Sequence, residues 1–191
     1  MAHKKCKITI SLTTLLIPVL FLLCGCAQDY FVRETSVISD IQRLAVLPFE
    51  NYTGDPYADE KIRRIVITDL LSRGIDVVEP GEVTSILKEL KIMHMSSITK
   101  SELQKIGEML GVKAVMLGSV EAFGISQGIN VRYPEVTINL MLIETNSGNI
   151  IWSVRRSTGG ASFWTRHFGS EGISLSEAAR KTVKETIDTL Y

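Results

Sequence analysis

The apolar run from Ile8 to Leu23 constrains this chain first, because it removes the opening segment from any folded core. It follows Lys4, Lys5 and Lys7 and precedes the small residue Gly25. A charged start, an apolar middle and a small residue at the cut make up a secretory leader. The alternative is a membrane helix that is never removed. The run holds 16 residues and is interrupted by Thr9, Ser11, Thr13, Thr14 and Pro18. A spanning helix needs about 20 predominantly apolar residues. A cut between Gly25 and Cys26 leaves 166 residues, enough for one domain. A chain of that size buries about 70% of its unfolded surface and needs no covalent staple. The expected organisation is a leader over residues 1–25, a polar tether over 26–42 and one folded domain over 43–191.

Charge and cysteine content narrow the function. The leader carries three of the 21 basic residues and none of the 21 acidic ones, so the remainder has three more acids than bases. Binding to nucleic acid rests on a basic face, and this balance argues against it. Cys6 and Cys24 leave with the leader. Cys26 is then the lone cysteine, which excludes a disulfide and a cysteine metal site.

Hydrophobic spacing predicts the elements in order. The run from Leu44 to Phe49 has the composition of a buried parallel strand, with Pro48 near its end. Asn51 to Pro56 is a loop by composition. Ala58, Ile62, Ile65, Val66 and Leu70 recur at helical spacing, and Arg73-Gly74 closes that helix. A strand over 75–78 follows, and the crossover makes the two strands parallel. Glu79-Pro80 opens a helix carrying Val83, Ile86, Leu87 and Leu90. Thr99 and Glu102 form a capping box before Leu103, Ile106 and Leu110, with Gly111 as the cap. Ala114 to Phe123 is a strand. Val136, Ile138, Leu140 and Leu142 then alternate with Thr137, Asn139, Met141 and Ile143, and Ile150, Trp152 and Val154 alternate after a turn. That pattern is an antiparallel meander. Trp152 is assigned to the core. Ser174 and Glu177 suggest a last capping box, before a helix with Leu175, Ala178, Ala179, Val183, Ile187 and Leu190 on one stripe. The expected fold class is α/β: one domain, a mixed sheet with two or three parallel strands followed by the meander, and about four helices packed on it.

No constellation for chemistry emerges. His94 and His167 lack metal-ligand spacing, and no nucleophile elbow is present. We therefore expect no catalytic residues, no metal and no cofactor. Asp55, Asp59 and Glu60 cluster before the first helix. They suit either a cation or the positive end of the helix, and the second needs no ligand. The stretch with Phe163, Trp164, Arg166 and Phe168 lies in a Gly-flanked segment outside the periodic elements. Aromatics and Arg are enriched in protein interfaces. These four are the candidate interface, with cover over a sheet edge or core as the open alternative.

Leu23, Gly25 and Cys26 resemble the lipobox of bacterial lipoproteins, with Cys24 where that family usually has Ala, Ser or Thr. The resemblance implies a diacylglyceryl group on the Cys26 thiol, cleavage after Gly25 and acylation of the new amino group. Ala27 is not Asp, which in enteric lipoproteins implies the outer membrane. A second resemblance runs from Leu44-Ala-Val-Leu-Pro-Phe-Glu-Asn51 and Gly54-Asp55 through Val77-Val-Glu-Pro80 and Gly111 to Ser119. It ends on Ile143 to Trp152. The set resembles the CsgG-like envelope lipoproteins, similar to the TolB amino-terminal domain and to LpoB. It implies a lipid-anchored protein facing the periplasm and working without catalysis, through contacts with envelope proteins or with its own copies. A secretion ring of the CsgG type and regulation of a cell-wall synthase in the manner of LpoB are the two alternatives. The CsgG pore itself is not expected, since a barrel strand needs about 9–11 alternating residues and the meander is already needed to close the domain sheet.

Overall fold

A computed structural model of the chain describes residues 30–32, 41–127, 132–159 and 173–190. Strand β1 is Tyr30–Val32, β2 is Arg43–Val46 and β3 is Glu50–Asn51. Helix α1 (Ala58–Ser72) leads to β4 (Asp76–Val77) and α2 (Pro80–Glu89). A short 3-10 turn, Met95–Ser97, precedes α3 (Lys100–Leu110). Then come β5 (Ala114–Gln127), β6 (Arg132–Glu144), β7 (Ile150–Thr158) and α4 (Leu175–Ile187). The seven strands form one mixed sheet in the order β1-β7-β6-β5-β2-β4, with β3 also pairing β5. This is the expected α/β class with four helices.

Pro48 explains why the strand in the first apolar run stops short and pairing resumes only past Phe49. It has no N–H to give to a ladder. β2 stops at Val46, Leu47 still donates to Met116 O at 3.0 Å, and pairing with β5 resumes at Glu50. The crossover through α1 makes β2 and β4 parallel, Arg43 opposite Asp76 and Leu44 opposite Val77. A guanidinium caps the point where β2 ends. Arg63 is only 6% exposed and donates to Val46 O from Nε at 3.2 Å and Nη2 at 2.7 Å. Burial pulls its pKa down, and nearby Glu60 opposes that shift.

Helix ends are set by the expected chemistry. Thr99 and Glu102 form the complete capping box on α3, and Gly111 ends it with φ +62°, a conformation open to glycine. Glu79 accepts the Glu82 N–H at 2.8 Å, with Pro80 at the first helical position. Ser174 accepts the Glu177 N–H at 3.2 Å.

The strand alternation builds two cores. On one face α1 and α4 cover Leu44, Val46, Met116, Ile138, Leu140, Leu142 and Trp152. Trp152 is fully buried, and its Nε1 donates to Thr189 Oγ1 at 3.1 Å. Gly118 lets Phe49 and Leu140 meet there, since a Cβ would lie 2.7 Å from Leu140 and 2.8 Å from Phe49. On the other face α2 and α3 cover Ala45, Leu47, Val115, Leu117 and Ile143.

Two departures matter for function. β5, β6 and β7 extend past the apolar alternation, to Gln127, back to Arg132 and on to Thr158. In addition, Tyr30–Val32, inside the stretch expected as tether, pairs antiparallel with β7.

Candidate functional site

Of the residues singled out from sequence, Gly25, Cys26, Phe163, Trp164, Arg166, His167 and Phe168 lie outside the described residues. His94 is described. It stands at the start of the 3-10 turn, exposed, on a groove of about 300 Å³ floored by Phe49, Leu87 and Ile92. The carboxylate on that groove is Glu50, and both of its oxygens are engaged. One accepts the Tyr52 hydroxyl and the other accepts the Ser96 N–H at 2.9 Å. Those bonds, the Tyr52 one first, hold Glu50 below the usual carboxylate range, and the same contact raises the Tyr52 phenol. A carboxylate stabilised as an anion is a weak proton acceptor. The groove is thus apolar with a fixed charge at its rim.

The acids expected before the first helix, of which Asp59 and Glu60 stand in the first turn of α1, do not converge. Asp55 accepts the Tyr57 N–H at 2.9 Å and meets Lys61 Nζ at 2.6 Å. Asp59 accepts from Asn51 Nδ2 at 3.3 Å. Glu60 pairs with Arg64 at 2.8 Å. Among the described residues no group of three His, Cys, Asp or Glu side chains could hold a metal ion. Asn51 fixes this loop: its Oδ1 accepts from the Thr53 N–H at 2.9 Å and its Nδ2 donates to Asp55 O at 2.8 Å.

A more extensive feature is the half of the sheet that, among the described residues, one pair of helices covers on one face. Along β6 the core-facing residues Val136, Ile138, Leu140 and Leu142 lie toward α1 and α4. Successive side chains point to opposite faces. Thr137, Asn139 and Met141 therefore face the other way, opposite Ser157, Arg155 and Ser153 of β7. Phe31 of β1 stands beside Ser153 on that face, 52% exposed. Helices α2 and α3 reach Ile143 and the edge of Met141 but no farther across β6. The residue left over by the β5 bulge, Glu121, accepts from Arg155 Nε at 2.8 Å and Nη2 at 2.7 Å. An antiparallel sheet can face water on one side. Here the open side is polar and runs from the buried Thr137 through the half-buried Asn139 and Ser153 to the exposed Arg155 and Ser157, with Phe31 and Met141 as its apolar spots.

Sequence reasoning missed this surface. Met141 and Ile143 suggest apolar residues on both sides of β6. That holds only toward the Glu144 end of the strand, while Asn139, half-buried, carried the signal for an open face and Thr137 beside it is buried. A second surface lies between α1 and α4, a groove of about 460 Å³ with Ile65 at its floor and Arg64, Arg180 and Lys184 on its rim. Arg73 ties the two helices together there, with Asp69 at 2.8 Å and Asp188 at 2.6 Å.

Comparison with known proteins gives this geometry a context. The family model of the curli production assembly/transport component CsgG matches residues 39–187. Among solved structures, the PelC dodecamer from Paraburkholderia phytofirmans is similar, with a TM-score of 0.58 at 20% identity, covering 86% of this chain and 96% of that chain. A variant PelC dodecamer in a second space group gives 0.57 at 20% identity, with 86% and 98% covered. Lipoprotein GNA1162 from Neisseria meningitidis gives 0.51 at 18% identity, covering 63% of this chain and 82% of that chain. At such identities the likeness is one of fold. No curated protein matches.

Proposed function

This chain belongs to the CsgG family, and from that premise we propose that it is an outer-membrane lipoprotein acylated on Cys26, facing the periplasm. It acts there as a non-enzymatic accessory or assembly factor through protein–protein contact. The open face of β6, β7 and β1 is the observation that carries this reading. A half-sheet with spaced polar groups, one ion pair and two apolar spots suits another folded surface better than a small molecule, which needs a concave site. Anchoring is the role of Cys26. One acyl chain binds a membrane only marginally, so the diacylglyceryl group and the acylated amine together make the attachment stable. Replacing Cys26 by Ala tests this part: the variant stays as a precursor with its leader uncut, and normal processing would contradict it.

Self-assembly is a second reading. It is favoured by the same open face and by the dodecameric state of PelC. In this reading the occupant of the face, or of the segment with Phe163, Trp164, Arg166 and Phe168, is a neighbouring copy. Cross-linking in the membrane distinguishes the two: a ladder closing at one multimer supports self-assembly, and a monomer at high concentration supports docking on a different protein.

A further inference from the structure

The chain enters the sheet from one definite end. β1 is antiparallel to β7, with Tyr30 opposite Val154 and Val32 opposite Trp152. The chain before Tyr30 therefore arrives from the side where β7 finishes. β7 is antiparallel to β6, and β6 to β5, so β5 finishes at that end too. The β5–β6 hairpin overhangs there. The last β6–β7 pair is Val136 with Thr158, and four further β5–β6 pairs, from Gly124–Glu135 to Gln127–Arg132, carry no third strand among the described residues. At about 3.3 Å per residue they project about 13 Å.

Exposed apolar side chains gather at the same end. Tyr52, Tyr57, Met93 and Ile125 are 66%, 66%, 81% and 52% exposed. Tyr52 continues β3, its N–H donating to Val120 O at 2.9 Å. Its hydroxyl bond to Glu50, and the Glu50 bond to Ser96, hold the segment after Met93 beside it. Tyr57 precedes α1. One turn on, Lys61 Nζ lies 5.4 Å from the centre of the Phe123 ring, and Ile125 follows Phe123 on the same side of β5. Leu71, Met109 and Ile150 are also exposed, but they sit where α1 and α3 finish and β7 starts, at the end where β4 and β5 begin.

Cys26 is four residues before Tyr30, and four extended residues span at most about 14 Å. We propose that the hairpin end of the domain rests on the lipid surface, with Tyr52, Tyr57, Met93 and Ile125 against the headgroups and outer acyl chains. This rests on the reading of Cys26 as the acylated anchor. Tyrosine suits that boundary, since its ring is apolar and its hydroxyl reaches water. The opposite end of β5, about 45 Å away at strand rise, points into the periplasm. The open sheet face then stands upright on the membrane, side-on to other envelope proteins.

In the acylated protein an introduced cysteine is the sole thiol. Tyr57→Cys, Ile125→Cys, Leu71→Cys and Met109→Cys would each be labelled with a fluorophore. Each protein is then inserted into vesicles of phosphatidylethanolamine and phosphatidylglycerol carrying a headgroup nitroxide. Fluorescence is lost at positions 57 and 125 and kept at 71 and 109. Mass spectrometry of the same samples reads the Cys26 modification. An unmodified Cys26 thiol overturns both this inference and the anchor beneath it. With Cys26 acylated, quenching at 71 and 109 instead, or at none or all four positions equally, overturns the orientation alone.

Discussion

The two halves of the sheet are built differently. Around β2, β4 and the first half of β5, helices lie on both faces, and the strands are apolar on both sides: Leu44, Val46 and Met116 under α1 and α4, Ala45, Leu47 and Val115 under α2 and α3. Around the far half of β6, β7 and β1, the core-facing side is equally apolar, while the other side is polar and carries no helix among the described residues, with Thr137 buried on it. The first half is held by packing. The second is held by ladder hydrogen bonds and one packed face, and among the described residues no helix covers its other face. Family membership alone does not separate these roles; the register of β6 against β7 does.

The largest expected effect probes that division on one strand. Trp152→Ala removes a fully buried ring and its bond to Thr189, and should cost about 3–5 kcal/mol of stability in chemical unfolding. Arg155→Ala, three residues along on the open side, should change stability by about 1 kcal/mol or less, since exposed ion pairs contribute about that much. Equal losses would mean that the open face is structural. A smaller contrast comes from neighbours on β5. Gly118→Ala places a methyl against Phe49 and Leu140 and should cost about 1–3 kcal/mol. Ser119→Ala, on the other side, should stay within about 0.5 kcal/mol.

Acid should give the smallest and most diffuse effect. Glu79 and Glu102 are held below their ordinary pKa, each first by a backbone N–H at its helix start. Asp55 and Asp188 are lowered first by Lys61 and Lys184. A carboxyl whose folded pKa is depressed adds stability that is complete above its unfolded value. That contribution is lost as pH falls through the folded one. Stability should thus be flat at neutral pH and decline below about pH 4.3, the ordinary glutamate value. Glu102→Gln should make the decline shallower in urea unfolding at pH 5 and pH 3, whereas an unchanged slope would remove the α3 capping box from the account.

The doubly covered half was readable from residues because its signals are local. Helical spacing from Ala58 to Leu70, the Thr99–Glu102 box and Gly111 each act within one turn. The single-face half was readable only where alternation persisted. Gly124, Ser126 and Gln127 have no strand signature, and they are extended because Glu135, Tyr133 and Arg132 pair with them. Strand pairing is a property of the partner as much as of the residue. Tyr30–Val32 is too short for a period to show, and only the edge of β7 makes it a strand. Cys26, Phe163, Trp164, Arg166 and Phe168 remain proposals from sequence, and the open face emerged only from register.

Photo-cross-linking in cells addresses the open face directly. A photoreactive side chain at Asn139 or Ser153 would be compared with one at Glu89, on the outer side of α2. Discrete adducts, to an envelope protein or to a second copy, are expected from 139 and 153 and none from 89. Adducts from 89 alone, or equally from all three positions, would contradict that expectation.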